Sequence, residues 1–327
     1  MDDVLAIEGL TVELDLSRGR FAAVRDVSLT VGRGEIVALV GESGSGKSMT
    51  ALAVMRLLPE PPALIAAGAI RFRDKDLASA PEDVLAGIRG DRIGMIFQEP
   101  MTSLNPSMRA GPQVAEVLAL HKGLDGKAAR KRVEELFARV RIPDPARRFD
   151  DYPHQMSGGM RQRVMIAMAI ACDPDLVVAD EPTTALDVTT QAQILDIFRA
   201  FRDEDGRSTL LITHDLAVVA ETADRVAVMY GGRIVETAPV ERLFEAAAHP
   251  YTRGLIASIP NPDEDIETRG RLTEIAGAVP ALWAMPKGCA FSPRCPRATP
   301  RCADEQPSSE TIAPGHVVAC WNREDAR

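Results

Sequence analysis

The eight residues Gly41-Glu42-Ser43-Gly44-Ser45-Gly46-Lys47-Ser48 constrain this chain more than any others. They follow a continuous apolar run, Ile36-Val37-Ala38-Leu39-Val40, suited to a strand buried on both faces. They lead into a helix-like stretch over residues 48–58. A glycine-rich turn in that place lets consecutive backbone N–H groups face phosphate oxygens at a helix N-terminus, whose dipole favours negative charge. Lys47 is then placed to reach the β and γ phosphates, and the Ser48 hydroxyl to bind Mg²⁺. A chance match to the four fixed positions arises in roughly 1% of chains this long, and the strand and helix that the motif needs are both present. The expected nucleotide-binding set is Gly41, Glu42, Ser43, Gly44, Ser45, Gly46, Lys47, Ser48 and Met49.

Hydrolysis needs a carboxylate as well as a phosphate cradle. Leu176-Val177-Val178-Ala179-Asp180-Glu181 is an apolar strand ending in two carboxylates, and open α/β sheets bind ligands at that edge. Asp180 can hold Mg²⁺, and Glu181 can polarise an attacking water. Further short apolar runs lie at residues 93–97 and 210–212. His154-Gln155-Met156-Ser157-Gly158-Gly159-Met160-Arg161-Gln162-Arg163 precedes a helix-like apolar run. A Ser-Gly-Gly turn opening a helix offers a hydroxyl and free N–H groups to a phosphate; alone, it reads first as an N-cap.

Composition narrows the setting. With 327 residues, about two domains are expected, and 46% hydrophobic with 26% charged residues is an ordinary globular balance. No apolar stretch approaches the ~20 residues that cross a bilayer, and Met1-Asp2-Asp3-Val4 lacks the layout of a signal peptide. A cytosolic chain is expected, serving any membrane from outside the bilayer. The net charge of −9 argues against binding nucleic acid through phosphate neutralisation.

Residues 101–172 have helical periodicity broken by Pro143, Pro145 and Pro153, and read as a helical insertion on an α/β core. Residues 225–230, Gly231-Gly232 and 233–236 read as a two-residue hairpin. From residue 259 the chain holds 9 of its 23 prolines and reads as a small module unable to build much core alone. Four of the five cysteines, Cys289, Cys295, Cys302 and Cys320, fall in the last 39 residues. A reducing compartment makes disulfides the weaker reading of such a cluster. Cys172 reads as a small buried hydrophobe.

These motifs together resemble the nucleotide-binding subunit of an ATP-binding-cassette transporter, over residues 4–255. The series is ordered: the phosphate loop at 41–48, Gln98-Glu99-Pro100 after a strand, Ser157-Gly158-Gly159, Asp180-Glu181, Ala185-Leu186-Asp187, and His214 after the next strand. The resemblance implies an α/β P-loop NTPase core with a β-subdomain and a helical subdomain at about 101–172, in a nucleotide-binding domain spanning 1–255. It also implies a head-to-tail dimer sandwiching two ATPs. Lys47, Ser48, Gln98, Asp180, Glu181 and His214 would act on one nucleotide, with Glu181 and His214 catalytic and Ser48, Gln98 and Asp180 around Mg²⁺. Ser157, Gly158, Gly159 and Asp187 would complete the partner subunit's site. Met160 stands where the family usually has Gln, as in its peptide-importer branch. The family's adenine-stacking ring has Phe21 as its nearest candidate.

His249-Pro250-Tyr251-Thr252-Arg253-Gly254-Leu255 and Gly288-Cys289-Ala290-Phe291-Ser292-Pro293-Arg294-Cys295 resemble the C-terminal extension of dipeptide and oligopeptide importer ATPases, placed at 256–327 as a small irregular Cys-rich module. The cysteine spacing is C-x5-C-x6-C-x17-C, unlike the tight pairs of structural zinc sites. Four thiolates can ligate a [4Fe–4S] cluster, which the resemblance favours over zinc or no metal; His316 is not expected as a ligand. Replacing Cys295 is expected to disturb the tail more than the ATP site. The implied function is ATP hydrolysis powering import of peptides, or alternatively nickel or sugar derivatives. The implied partners are transmembrane permease subunits touching residues 101–120, a second ATPase subunit and, indirectly, a periplasmic or extracellular solute-binding protein. The implied location is peripheral, on the cytoplasmic face of the inner membrane. A DNA-maintenance or translation ATPase of the same superfamily is the competing reading.

Overall fold

The computed structural model describes residues 3–99, 103–184, 186–259 and 274–323. Met101, where the expected helical segment opens, Pro100 of the glutamine motif, Ala185, Pro260 and Pro262 lie outside the described residues. By compactness the chain divides into two units. One comprises Ala6–Thr30, Val37–Arg71 and Thr213–Arg327, and the other Met1–Leu5, Val31–Ile36 and Phe72–Ile212.

The unit carrying the phosphate loop is organised around the strand Ile36–Val40, every residue of which is buried. Residues 37–40 of that strand pair in parallel with Arg225–Tyr230, from Val37↔Arg225 to Val40↔Val228. Arg225–Tyr230 continues antiparallel into Arg233–Pro239, with Arg233 opposite Tyr230. Gly231 and Gly232, at φ 51° and 85°, supply the two left-handed residues that such a tight hairpin requires. The long strands Asp3–Leu16 and Gly19–Gly32 pair with each other, and Ala63–Phe72 lies beyond Asp3–Leu16. The helix after the phosphate loop, Lys47–Val54, is shorter than residues 48–58 suggested. Its periodicity continues, but Arg56 turns to φ 50° and ends the helix.

The C-terminal residues solve their shortage of apolar side chains by extending this sheet. His316–Val318 pairs antiparallel with Arg233–Pro239, through Glu236↔Val318 and Thr237↔Val317, and Glu310–Ala313 pairs with His316–Val318 in turn. A buried polar knot lies beneath. Glu236, 1% exposed, accepts the Ala248 and His249 N–H groups at 2.7 and 3.0 Å. Its Oε1 also meets His316 Nε2 at 2.7 Å. One carboxylate thus satisfies three groups, from two other segments, that would otherwise be buried unpaired.

The second unit centres on three parallel strands, Ile93–Ile96, Leu176–Asp180 and Ser208–Thr213. Ile93 pairs with Leu176 and Ile96 with Ala179; Leu176 pairs with Ser208 and Asp180 with Ile212. Between the first two strands fall helices Ala110–Lys122, Gly126–Arg139, Pro145–Arg148 and Gly158–Ala169. Val133, Leu136, Phe137 and Val140 recur at helical spacing and are all buried. Buried Arg163 donates to the Val140 and Arg141 carbonyls at 3.0 and 2.7 Å, satisfying the end of helix Gly126–Arg139. Asp175, 8% exposed, joins Arg73, Arg92 and Arg207 at 2.7, 2.5 and 2.8 Å. Cys172 is buried, in a turn beyond helix Gly158–Ala169. Among the described residues no helix is long and apolar enough to cross a membrane.

The polar knot yields a test of how the C-terminal strands are held. Glu236→Ala strands His316 and two backbone donors and is expected to cost about 3 kcal/mol. The thermal unfolding midpoint should fall by several degrees; an unchanged midpoint would show that the knot does not hold these strands.

Candidate functional site

The phosphate loop takes a shape that side chains would obstruct. A Cβ on Gly41, at φ 154°, would lie 2.1 Å from the Met229 carbonyl oxygen, and one on Gly46, at φ 107°, 2.8 Å from that of Ala23. The loop folds back on itself, with Ser45 N–H donating to the Glu42 carbonyl at 3.2 Å and Gly232 N–H to the Ser45 carbonyl at 2.9 Å. Lys47 is 5% exposed, and its Nζ donates to the carbonyls of Gly41 and Glu42 at 2.7 and 3.0 Å. The lysine therefore sits across the mouth of its own loop, where an entering phosphate can replace carbonyl oxygens as its partner. Ser43 and Gly44 are exposed, while Ser48 and Met49 are half-buried at the start of the helix. Phe21 is half-buried in Gly19–Gly32, with its ring edge 3.7 Å from where a Cβ on Gly19 would stand.

Two side chains outside the loop hold Glu42. The Glu42 N–H donates to the Tyr251 hydroxyl at 2.9 Å. The guanidinium of Arg294 forks onto the Glu42 carboxylate at 2.8 and 3.1 Å. Tyr251 itself packs among Tyr230 and Phe291, with ring centroids 4.6 and 5.3 Å away. His214, in the same unit and exposed, lines a cavity with Asp215, Leu216, Ala217, Leu255, Ser258 and Ile259.

In the other unit, strand register brings the glutamine and a carboxylate together. Ile93–Ile96 and Leu176–Asp180 run parallel and aligned, so the residues just past their C-terminal ends emerge side by side. Gln98 Nε2 donates to Glu181 Oε2 at 3.1 Å, and the Thr184 hydroxyl donates to the same oxygen at 2.9 Å. Glu181 has φ 48°, a left-handed conformation costly for a non-glycine residue. Asp180 is 5% exposed at the strand end.

Ser157 caps helix Gly158–Ala169, its hydroxyl accepting the Met160 N–H at 3.3 Å. A Cβ on Gly159 would approach Thr190 Cγ2 to 2.9 Å, whereas one on Gly158 would meet nothing within 4 Å. Asp187 caps helix Val188–Asp203, accepting the Thr190 N–H and hydroxyl at 2.9 and 2.7 Å; those hydrogen bonds, the hydroxyl's first, lower its pKa. A cavity of about 360 Å³ opens beside the turn, lined by Ser157, Gly159, Met160, Arg163, Thr190 and Gln193 among others.

The four C-terminal cysteines all line one cavity, together with His249 and Phe291. Gly288 allows the chain to close around it, because a Cβ there would strike the Cys302 carbonyl oxygen at 2.4 Å, and Cys289 N–H donates to that oxygen at 2.8 Å. The four-thiolate metal site implied by the resemblance is not drawn together in this structure. Among the described residues no three His, Cys, Asp or Glu are gathered closely enough to hold a metal ion. Burial raises the thiol pKa of Cys289 and Cys295 and takes Cys320 up to about 11. His316 is turned to Glu236, away from any ligand role.

Sequence reasoning assigned no role to Arg294 or Tyr251, although both lie inside the tail motifs it singled out. Each acts across more than 200 residues, a separation at which no spacing rule operates. Arg163 was likewise unassigned; its partners are two backbone carbonyls, which leave no mark in a sequence, and the side chain of Gln193, 30 residues away.

Comparison with known proteins bears on both units. A family model described as ABC transporter matches residues 24–184. A second, described as oligopeptide/dipeptide transporter, C-terminal region, matches residues 235–302. A dipeptide transport ATP-binding protein of Bacillus subtilis is 47% identical over 321 residues, covering 98% of this chain and 95% of its own. A putative peptide import ATP-binding protein of Brucella ovis is 49% identical over 325 residues, covering 97% and 96%. Among solved structures, a dimeric ATP-binding cassette in a post-hydrolysis state, bound to ADP and Pi, is 28% identical with a TM-score of 0.66, covering 72% of this chain and 98% of that one. A part of an ABC transporter complex from Clostridium perfringens has a TM-score of 0.62 at 27% identity, covering 75% and 91%. With its phosphate loop, its Gln98–Glu181 pair and relatives alike over nearly the whole length, the chain belongs to the ATP-binding proteins of the ABC transporter family, with the C-terminal region of the oligopeptide and dipeptide transporters.

Proposed function

We propose that this chain hydrolyses ATP to power the import of peptides through a separate membrane permease. The observation that carries the reading is end-to-end similarity, at 47% and 49% identity, to ATP-binding proteins named for dipeptide and peptide import. The nickel and sugar-derivative alternatives rest on no comparable feature. The DNA-maintenance and translation alternative finds no support either, and the net charge of −9 disfavours it.

The residues divide the chemistry among them. Gly41 to Ser48 cradle the phosphates, with Met49 at the first turn of the helix behind, and Lys47 exchanges its carbonyl partners for phosphate oxygens. Ser48, Gln98 and Asp180 hold Mg²⁺. Glu181, steadied by Gln98 and Thr184, polarises the attacking water, and His214 orients the γ-phosphate. Phe21 is the candidate ring for adenine. Ser157, Gly158, Gly159 and Asp187 complete the site of a second ATPase subunit. The open space beside Gly158 supports this assignment, because nothing among the described residues requires glycine there. The permease would meet residues 101–120, and the 101–172 helical segment would convey the motion. Residues 1–255 form the nucleotide-binding domain and 256–327 the extension. The protein works peripherally at the cytoplasmic face of the inner membrane, and a solute-binding protein delivers the peptide to the permease.

The cysteine cavity fits an iron–sulfur cluster in its donor chemistry. Four cysteines line it, and one buried polar atom there lacks a partner among the described residues. His249 is 1% exposed, and its Nδ1 accepts the Tyr251 N–H at 3.0 Å. Its Nε2 therefore carries the hydrogen, yet has no acceptor. Burial pushes the imidazole down to about 3, so it stays neutral. An anionic sulfur in the cavity would satisfy that N–H. Cys289, Cys295, Cys302 and Cys320 would hold a [4Fe–4S] cluster, with zinc the alternative, and the bound group would cross-link a segment poor in core.

Three outcomes follow. Glu181→Gln should retain Mg-ATP while slowing steady hydrolysis by roughly 10²-fold or more; near-normal turnover would remove Glu181 from the base role. Ser157→Arg in one subunit of a mixed dimer should silence the nucleotide site of the other, and full activity at that site would refute the shared-site reading. Protein purified without oxygen should carry about four irons and four sulfides per chain, whereas zinc alone would select the other metal and the absence of both would leave the cavity a packing feature.

A further inference from the structure

The phosphate loop is held from outside by the short segment that bears two of the cavity's cysteines. Backbone hydrogen bonds wind this segment tightly, from Ser292 N–H to the Cys289 carbonyl at 3.0 Å, and from Arg294 N–H to the Phe291 carbonyl at 2.9 Å. Cys289, Phe291 and Cys295 line the cavity. Arg294, adjacent to Cys295, carries its guanidinium to Glu42, 252 residues away in the chain. Its side chain is 5% exposed and that of Glu42 27%.

The guanidinium has little freedom to do anything else. Nη1 donates to Glu42 Oε2 and Nη2 to Oε1, the paired fork that makes arginine–carboxylate contacts strong and directional. Nη2 also donates to the Ile275 carbonyl and Nε to that of Ala276, each at 2.9 Å. Nη1 reaches the Tyr230 hydroxyl at 3.3 Å. Tyr251, which packs against Phe291, holds the Glu42 N–H on the other side. Glu42 is thus fixed through both its backbone and its carboxylate by residues of the C-terminal region.

Glu42 lies inside the loop whose carbonyls Lys47 contacts. An unpaired carboxylate there would oppose a polyphosphate, and an unanchored loop would have to be ordered again at each binding event. We propose that Arg294 is a positioning residue of the nucleotide site. It neutralises Glu42 and anchors the phosphate loop to the cysteine-bearing segment, so that nucleotide affinity and the order of that segment are linked. The proposal rests on residues 41–48 being the nucleotide's cradle. Linkage is reciprocal: whatever orders residues 289–295 tightens nucleotide binding, and bound nucleotide steadies the segment in return.

The test uses the full chain, with Mg-ATP as ligand, and measures the dissociation constant and the steady-state rate. Arg294→Gln should raise both Kd and KM at least about five-fold while leaving kcat at saturating ATP near its original value. Arg294→Lys, which keeps the charge but loses the fork, should fall between. The double variant Arg294→Gln/Glu42→Gln should recover much of the affinity, because it removes the unpaired carboxylate; damage to the fold alone would not be repaired in that way. Cys295→Ser should weaken Mg-ATP binding and add little to Arg294→Gln. Unchanged affinity in Arg294→Gln, failure of the double variant to recover, or wild-type affinity in Cys295→Ser would overturn the proposal. Failure of the unaltered chain to bind Mg-ATP would instead overturn the cradle reading, and the proposal with it.

Discussion

A backbone turn that only glycine can make, closed by a lysine it has itself buried, is the constraint around which this structure is arranged. Gly41 passes so near the Met229 carbonyl that any side chain would collide with it. The strand Arg225–Tyr230 must therefore lie beside Ile36–Val40 for the loop to exist, and parallel pairing puts it there. Lys47 gives up water for two carbonyls of the loop. Taking a cation out of water is costly, and a bound anion would offset that cost.

The second unit achieves its chemistry by register alone. Two parallel strands end level with each other, and the residues that follow, Gln98 and Glu181, meet without a loop being built to bring them there. The left-handed backbone at Glu181 is local strain, borne at the residue whose carboxylate receives donors from both Gln98 and Thr184. The C-terminal residues, too few to form a core, use the sheet's own edge and a buried carboxylate, Glu236, as anchorage. In doing so they bring Arg294 to the phosphate loop.

Much of this was legible in the sequence, for reasons that differ between features. The phosphate loop, the Asp-Glu strand end and the Gly231-Gly232 hairpin are local: strand, turn and helix signals lie within a few residues of one another. The cysteines could be recognised as a group because they crowd into one short segment, although their spacing could not show that all four line one cavity. The helix after the loop ended early because Arg56 adopts a conformation that no periodicity forecasts. Arg294, Tyr251 and Glu236 were beyond reach. Each is a single polar residue whose partner lies on a distant segment or on the backbone, so it repeats with nothing nearby. Arg294 stands next to Cys295 yet touches Glu42, a contact that no local pattern announces.

The central claim is that ATP hydrolysis here is harnessed to peptide passage through a separate permease. The most direct measurement places the complete complex, this chain with its permease and companion ATPase subunit, in sealed vesicles and follows ATP hydrolysis and labelled-peptide uptake together. The account predicts hydrolysis that rises when a peptide-loaded binding protein is supplied, with uptake that stops when ATP is withheld. Hydrolysis indifferent to peptide, in vesicles that take none up, would contradict it.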